Sequence, residues 1–440
     1  MVYLALGTNL GDRAANLYAA LDALRTFATV EETAFLYETP PAYVVDQPAF
    51  LNTACRIRTA LSPTELLRAL KVIETQLGRQ PSIRFGPRII DLDILFYDDL
   101  VLAADDLAIP HSRLAERSFV LEPLCDLDPD LRHPQLDTSV RMLWQRLDSD
   151  RLPRVMPTAD RLWRWGAKTY VMGIINVTPD SFSGDGLAAG TDPVDRAVEQ
   201  ARRFAAEGAD ILDVGGYSTR PNHEDVPIDE EIRRIVPVIR ALREAVDLPI
   251  SADTFRTPVA AAALEAGAHW INDVWGLRLF PDLADLAVRH RAPLVMMHNR
   301  FQPLPAYRHR LAETQGSVYA DLIGEIRQEL SESLEIARRA GLPRWLRILD
   351  PGVGFGKTLA QHTQLIDQLG LLKADKYPLL FGASRKSFIG KILGDLPADQ
   401  RLEGTLAVNV LAVDRGADIV RVHDVEATVR AVRVADAVTR

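Results

Sequence analysis

The chain is poor in cysteine: Cys55 and Cys125 are the only two in 440 residues. Two cysteines make no disulfide framework and no zinc-ligand spacing, and they fit a reducing compartment. Positive charge is not in excess. Lys and Arg number 51 against 60 Asp and Glu, leaving a net charge of −9, which argues against a nucleic-acid-binding surface. No apolar run approaches the roughly 20 residues of a membrane-crossing helix, so no membrane partner is expected. The opening Met1-Val2-Tyr3-Leu4-Ala5-Leu6-Gly7 has neither a basic stretch nor a long apolar core. No signal peptide is therefore expected, and the expected location is cytoplasmic. What is present is 47% hydrophobic and 25% charged residues, the balance of a globular protein, in a chain long enough for two domains.

The most informative stretch is Phe85-Gly86-Pro87-Arg88-Ile89-Ile90-Asp91-Leu92-Asp93-Ile94-Leu95. Ile90, Leu92, Ile94 and Phe96 alternate with Asp91, Asp93 and Leu95, which is strand periodicity. Asp91 and Asp93 then share a face, roughly 6 to 7 Å apart along the strand. Two such carboxylates repel each other unless a cation lies between them, and a pair of this kind suits Mg²⁺ with phosphate in its remaining sites. Arg88, just upstream, can meet phosphate bidentately. The alternative is an edge strand whose acidic face is merely solvated.

The chain changes character near residues 150 to 165, where Asp148-Ser149-Asp150-Arg151-Leu152-Pro153 and Pro157 suggest a linker. Three segments follow: a domain over 1–152, a linker over 153–165 and a second domain over 166–440. The first mixes strands at Tyr3–Leu6, Phe50–Arg58 and Ile89–Phe96 with helices at Asn16–Ala28 and Ser62–Leu77, the latter capped by Ser62 with Pro63 at its first position. This describes an α+β sandwich of the ferredoxin-like kind. The second alternates regularly. Strands are expected at Val171–Val177, Ile211–Gly215, Pro249–Asp253, Trp270–Val274, Leu294–His298, Leu346–Asp350, Leu379–Ala383 and Ile419–Val422. Helical patterns lie between them, among them Val194–Glu207, Glu230–Val246, Val318–Ala340 and Glu403–Arg415, with Gly208, Gly267, Gly341 and Gly416 at expected helix C-caps. Eight strand–helix units over this length describe a (β/α)₈ TIM barrel; an open doubly wound sheet is the rival.

Polar residues gather where the barrel strands end: Asn176, Asp213, Asp253, Asn272, His298, Asp350, Ser384-Arg385-Lys386, Arg421 and His423. In a barrel those ends form the active face. Polar groups collected at one end are costly unless they bind something.

With these residues in view, the first half resembles 6-hydroxymethyl-7,8-dihydropterin pyrophosphokinase. The resemblance is carried by Leu4-Ala5-Leu6-Gly7-Thr8-Asn9-Leu10-Gly11-Asp12, Tyr37-Glu38-Thr39-Pro40-Pro41, Gln47-Pro48-Ala49-Phe50-Leu51-Asn52 and the Gly86–Leu95 segment. The second half resembles dihydropteroate synthase through Met172–Ser183, Asp213-Val214-Gly215-Gly216, Ser218-Thr219-Arg220-Pro221, Ile271–Val274, Asp350–Lys357, Ser384–Ser387 and Arg421-Val422-His423-Asp424. The two families run successive steps of folate biosynthesis.

The first resemblance implies transfer of diphosphate from the co-substrate ATP to the pterin hydroxymethyl oxygen, with Mg²⁺ held by Asp91 and Asp93. Arg79 and Arg88 are the implied cationic clamp. Thr39, Pro40, Phe50, Asn52, Phe85 and Phe119 are the implied pterin residues, and Glu74, Arg84, Arg88, His111, Ser112 and Arg117 the ATP-side residues. Phe85 stands where a tryptophan is frequent, and Pro81 where a further arginine is. Taken alone, each phenylalanine suits a core equally well.

The second resemblance implies condensation of the pterin diphosphate with 4-aminobenzoate, giving 7,8-dihydropteroate and diphosphate. Asp253, Asn272, Asp350 and Lys386 map onto the pterin pocket. Asn176, Arg421 and His423 map onto the diphosphate site, with Asn176 also a metal ligand. Thr219, Arg220 and Ser384 map onto the aminobenzoate side and its closing loop. The catalytic set carried over is Arg79, Arg88, Asp91, Asp93 and Lys386. Tyr217 replaces a usual Glu, and Asn222 a usual Gly. The family also implies a homodimer formed through the synthase domain. Gly352-Val353-Gly354-Phe355-Gly356-Lys357-Thr358 imitates a phosphate-binding loop, but Pro351 occupies the position of its first glycine. The alternative function is one catalytic half joined to a binding or scaffold module.

Overall fold

The computed structural model describes residues 1–42, 44–80, 83, 86–147, 150–177, 192–217, 226–300 and 317–440. Contacts divide the chain into two units. One is Met1–Trp165 with Pro343–Trp345; the other is Gly166–Leu342 with Leu346–Arg440.

In the first unit the central strand is β1 (Val2–Thr8), an apolar run with only Ala5 half-buried. It pairs antiparallel with β4 (Phe50–Thr59) on one side and β5 (Asp91–Tyr97) on the other. β4 also pairs with β2 (Ala28–Thr33) and β3 (Leu36–Thr39). The expected helix over Asn16–Ala28 is displaced: α1 runs Arg13–Leu24, started by the Asp12 carboxylate accepting from Ala15 N. Ala28 opens β2, because Thr29 and Val30 are β-branched and suit a strand. The helix α2 (Pro63–Gln76) has the expected cap. Ser62 and Glu65 form a reciprocal capping box, and Pro63 sits in the first turn.

The expected linker 153–165 is corrected. Arg154–Thr158 and Arg161–Arg164 form a hairpin, and its first strand pairs with β3 through Arg154↔Tyr37 and Val155↔Leu36. Val155, Met156 and Trp163 are buried, so this stretch adds to the sheet and its core. Pro157 lies past the residues that pair with β3, where its missing N–H costs no ladder bond.

Among the described residues the second unit has eight parallel strands: Tyr170–Asn176, Ile211–Gly215, Ile250–Asp253, Trp270–Asp273, Leu294–Met297, Arg347–Asp350, Leu380–Phe381 and Ile419–Val422. The hydrogen-bonded order runs from the sixth back to the first, then the eighth and seventh. A parallel bridge, Leu349↔Leu379, joins the sixth to the chain leading into the seventh and closes the barrel. Gly208 and Gly341 are left-handed helix caps, at φ 97° and 87°. Gly267 and Gly416 stand one residue past their helix caps, with φ of 109° and 94°. Gly173 on the first strand has a packing reason: a Cβ there would lie 2.6 Å from Phe204 Cδ2. The absent side chain lets Phe204 bury fully, which stabilises by about 2–3 kcal/mol. Because all eight strands run parallel, their polar ends meet at one end of the barrel.

Candidate active sites

In the first unit, β1, β3, β4 and β5 wall a pocket of about 700 Å³ that opens to solvent. It gathers Thr39, Pro40, Phe50, Asn52, Arg88, Asp91, Asp93, Arg117 and Phe119. Strand alternation explains the grouping. Leu92 and Ile94 face the core, and Asp91 and Asp93 take the opposite face. Asn52 donates to Thr39 Oγ1 at 2.7 Å, and a Cβ on Gly7 would lie 2.8 Å from Asn52 Oδ1. Gly7 thus leaves room for the amide oxygen beside the pocket.

Arg79 and Arg88 are not an open clamp in this structure. Arg79 donates to Asp91 Oδ1 and Arg88 to Asp91 Oδ2, both at 2.7 Å. Burial pushes the Asp91 carboxyl up, but Arg88 and Arg79 outweigh it and hold the group below its ordinary range. Asp93 shifts the other way, raised by burial and then by the charge on Asp91. Glu74 is buried away from the pocket. It pairs with Arg79 at 2.6 Å, pairs with Lys71 at 3.0 Å and accepts from Leu92 N at 2.8 Å. It ties α2 to β5. His111 Nε2 lies 4.0 Å from Asp93 Oδ2, and burial lowers its pKa, with Arg117 adding to the effect. Arg117 stacks over Phe119 at 5.6 Å, and Ser112 is exposed. Arg84, Phe85 and Pro81 lie outside the described residues.

Sequence reasoning missed Asn9 and Lys71. Asn9 holds Arg88 from both sides: its Oδ1 accepts Arg88 N at 2.8 Å, and its N–H donates to Arg88 O at 3.1 Å. Its place directly after the end of β1 was the available signal. Among the described residues no group of three or more His, Cys, Asp or Glu could hold a metal. Asp91 and Asp93 alone supply two hard oxygen donors on one face. Their mutual repulsion, visible in the raised Asp93, is what a divalent cation would remove, so this pair fits Mg²⁺ with phosphate completing its shell. Asn176 offers a single neutral oxygen and does not make a metal site by itself.

At the barrel end Arg421 occupies a central place. It donates to Asp213 Oδ2 and Asp253 Oδ2, each at 2.5 Å. It therefore links the second and third barrel strands to the eighth. Asn272 donates to Asp213 Oδ2 at 3.1 Å. His423 Nδ1 is 3.0 Å from Ser384 Oγ. Lys386 donates to Val353 O, and its Nζ lies 4.3 Å over the Phe355 ring. Burial lowers Lys386 to about 8, opposed by Asp350. Asp350 is raised by burial, opposed first by Lys386, and accepts from Gly352 N at 2.7 Å. Asp253 is pushed up to about 7 by burial, against the pull of Arg421. Thr219, Arg220 and Asn222 lie outside the described residues.

Tyr217, in place of a usual Glu, packs edge-on against Phe255 at 5.7 Å and under the Arg256 guanidinium at 4.7 Å. The carboxylate partner of Arg256 is Glu231, at 3.0 Å. The phosphate-loop look-alike has a different use. Lys357 turns back into its own loop, donating to Gly352 O at 3.0 Å and Phe355 O at 3.3 Å, and lies 3.2 Å from His298 Nδ1. Gly352, Gly354 and Gly356 all have positive φ, and a Cβ on Gly354 would collide with Lys386. The glycines bring the loop against Lys386.

The sequence matches two family models: 7,8-dihydro-6-hydroxymethylpterin-pyrophosphokinase over residues 3–129 and pterin binding enzyme over residues 172–423. It is 40% identical over 468 residues to the mitochondrial folate synthesis bifunctional protein of Pisum sativum, covering 100% of this chain and 89% of that one. It is 39% identical to the folic acid synthesis protein fol1 of Pneumocystis carinii, covering 99% of this chain but spanning only 60% of that longer protein. A crystal structure of Plasmodium falciparum HPPK-DHPS with pteroate shares the fold at a TM-score of 0.82, covering 100% of this chain and 97% of that chain at 22% identity. This chain belongs to the family of bifunctional folate-synthesis enzymes that join a hydroxymethyldihydropterin pyrophosphokinase to a dihydropteroate synthase.

Proposed function

We propose that the first half transfers diphosphate from ATP to 6-hydroxymethyl-7,8-dihydropterin and that the barrel joins the product to 4-aminobenzoate. The observation that carries this reading is the single pocket shared by the acidic pair Asp91/Asp93 and by Phe50, Asn52 and Phe119. A flat heterocycle between the aromatic rings, with the Asn52 oxygen at its hydrogen-bonding edge, places a hydroxymethyl group toward the carboxylates. The hydroxymethyl oxygen attacks the β-phosphorus, and AMP leaves. Arg79, Arg88, His111, Ser112 and Arg117, with Arg84 and Phe85, orient the nucleotide and pterin; Glu74 positions Arg79. Mg²⁺ held by Asp91 and Asp93 would offset phosphate charge during this transfer.

In the barrel, Asp253, Asn272 and Asp350 accept from the pterin amino and ring N–H groups, and Lys386 donates to a ring acceptor. Arg421 and His423 hold the diphosphate as the CH₂–O bond breaks, with Asn176 beside them. The amine of 4-aminobenzoate attacks the electron-poor CH₂, with Ser384, Thr219 and Arg220 on its side of the site. No protein nucleophile is needed.

Among the described residues no helix is long and apolar enough to cross a membrane. A cytoplasmic location and small-molecule partners alone fit this reading. The homodimer is proposed through the last two barrel helices, Leu402–Asp414 and Val425–Thr439, which expose Leu411, Val434 and Val438. A Val434→Glu/Val438→Glu pair that leaves sedimentation unchanged would reject it. The function is tested by supplying ATP, hydroxymethyldihydropterin and labelled 4-aminobenzoate with magnesium or with chelator. Labelled dihydropteroate is expected only with magnesium. Product from the pterin diphosphate but none from ATP would leave the first half a binding module.

A further inference from the structure

Asp213 is fully buried, yet its charge is spent on two neighbours rather than on solvent. Its Oδ2 accepts from Arg421 Nε at 2.5 Å and from Asn272 Nδ2 at 3.1 Å. Its Oδ1 has no hydrogen-bond partner among the described residues. It comes from the second barrel strand, one strand removed from Asn272 on the fourth; Asp253, on the strand between, pairs in register with Asn272.

An amide side chain can present either its NH₂ or its oxygen to a partner, and the choice decides what it can recognise. A carboxylate only accepts. Facing Asp213, Asn272 must therefore turn its NH₂ inward, which leaves its oxygen as the end available to a ligand N–H. The same carboxylate oxygen holds one edge of the Arg421 guanidinium, while Asp253 holds the other. We infer that Asp213 is a positioning residue of the barrel site: it fixes Asn272 as an acceptor for a pterin N–H, while its hold on Arg421 competes with an incoming diphosphate. The inference rests on the pterin reading of the barrel and adds a residue that touches no substrate.

The two neighbours give the inference a signature that simple destabilisation lacks. Probes that each meet one of them separate the effects. 6-Hydroxymethylpterin, which has no phosphate, reports on Asn272; inorganic diphosphate reports on Arg421. In Asp213→Asn the new amide no longer forces the Asn272 orientation, so 6-hydroxymethylpterin is expected to bind about tenfold more weakly. Inorganic diphosphate is expected to bind as well or better, because Arg421 loses a competing carboxylate. Asn272→Asp, which cannot donate to Asp213, is expected to lose pterin binding as well. The reciprocal exchange Asp213→Asn/Asn272→Asp restores one donor facing one acceptor and should recover most of it.

The experiment is calorimetric titration of the full chain and these three variants with each probe, all carrying Asn52→Ala and Asp93→Ala so that the first unit's pocket does not contribute. Selective loss of pterin binding in both single variants, with recovery in the exchange, supports the inference. Equal weakening of both probes, or an exchange no better than the single variants, overturns it. If Asp213→Asn does not fold, the comparison of Asn272→Asp with the exchange still decides. A chain with Asp213 and Asn272 intact that fails to bind 6-hydroxymethylpterin would instead reject the pterin reading itself.

Discussion

Lys357 offers the sharpest test of the barrel electrostatics. It is 8% exposed, and burial lowers its pKa from 10.5 to about 7, aided by Lys386 and opposed by Asp350. Between about pH 7 and pH 10.5 the unfolded chain binds a proton at this site and the folded chain does not. Stability therefore rises with pH across that window and is flat below it, where both states are protonated. At about 1.4 kcal/mol per decade the whole window is worth no more than about 5 kcal/mol, and the step from about pH 7 to about pH 9 is worth about 2 kcal/mol. Lys357→Met removes this proton and keeps most of the side-chain volume, though it strips the Gly352 and Phe355 carbonyls of a donor. The stability difference between the two proteins shifts in favour of wild type by about 2 kcal/mol between about pH 7 and pH 9. Lys386, lowered to about 8, is present in both proteins and its contribution cancels. Pulse proteolysis in urea, with barrel fragments identified by mass, measures the difference. Identical pH slopes for the two proteins would refute the buried neutral amine.

Three further outcomes are expected. Asp93→Ala abolishes the first reaction and leaves the barrel active on supplied pterin diphosphate, while Lys386→Ala does the converse; loss of both activities from either change, in separate assays, would contradict independent sites. Gly354→Ala forces a φ of 85° on a residue with a side chain and drives it into Lys386, so turnover of the second reaction falls more than about tenfold with the first unaffected. Ser62→Ala removes the capping box of α2 and destabilises the first unit by about 1 kcal/mol, read as a lower urea midpoint with unchanged slope.

The architecture was legible where period and count carried it. Alternation placed Asp91 and Asp93 on one face, and the repeated strand–helix rhythm gave the barrel. The Ser62 cap and the Gly208 and Gly341 turns were visible as local chemistry. The hairpin at Arg154–Arg164 was hidden because Pro153 and Pro157 signal a break, whereas Val155, Met156 and Trp163 find a sheet edge only in three dimensions. Motifs supplied candidate residues for each unit, but the pairing among them was not legible. Nothing in the order of residues says that Arg421 reaches two aspartates on other strands, that Glu74 turns toward β5, or that Lys357 folds back onto its own loop. Those choices are made by competing charges in a low-dielectric interior.

Both sites engage internally the cations proposed to meet phosphate. Arg79 and Arg88 are held by Asp91, and Arg421 by Asp213 and Asp253. A half-buried guanidinium without a counter-ion is costly, so in the absence of phosphate a carboxylate takes that place. On the roles proposed for the first site, this makes Asp91 serve two partners that cannot both be satisfied. While Arg79 and Arg88 occupy its two oxygens, it is a poor metal ligand. When the ATP phosphates draw the arginines away, the same oxygens become available. Magnesium alone should therefore bind the chain weakly, and the nonhydrolysable ATP analogue should raise its affinity by at least about tenfold, beyond the magnesium carried by the nucleotide itself. The comparison with Arg88→Met isolates the effect. That variant frees one Asp91 oxygen from the start, so magnesium alone binds it more tightly and the gain from the analogue shrinks. Equal magnesium affinity in the two proteins, measured by calorimetry without nucleotide, would show that the Arg88–Asp91 contact does not compete with the metal.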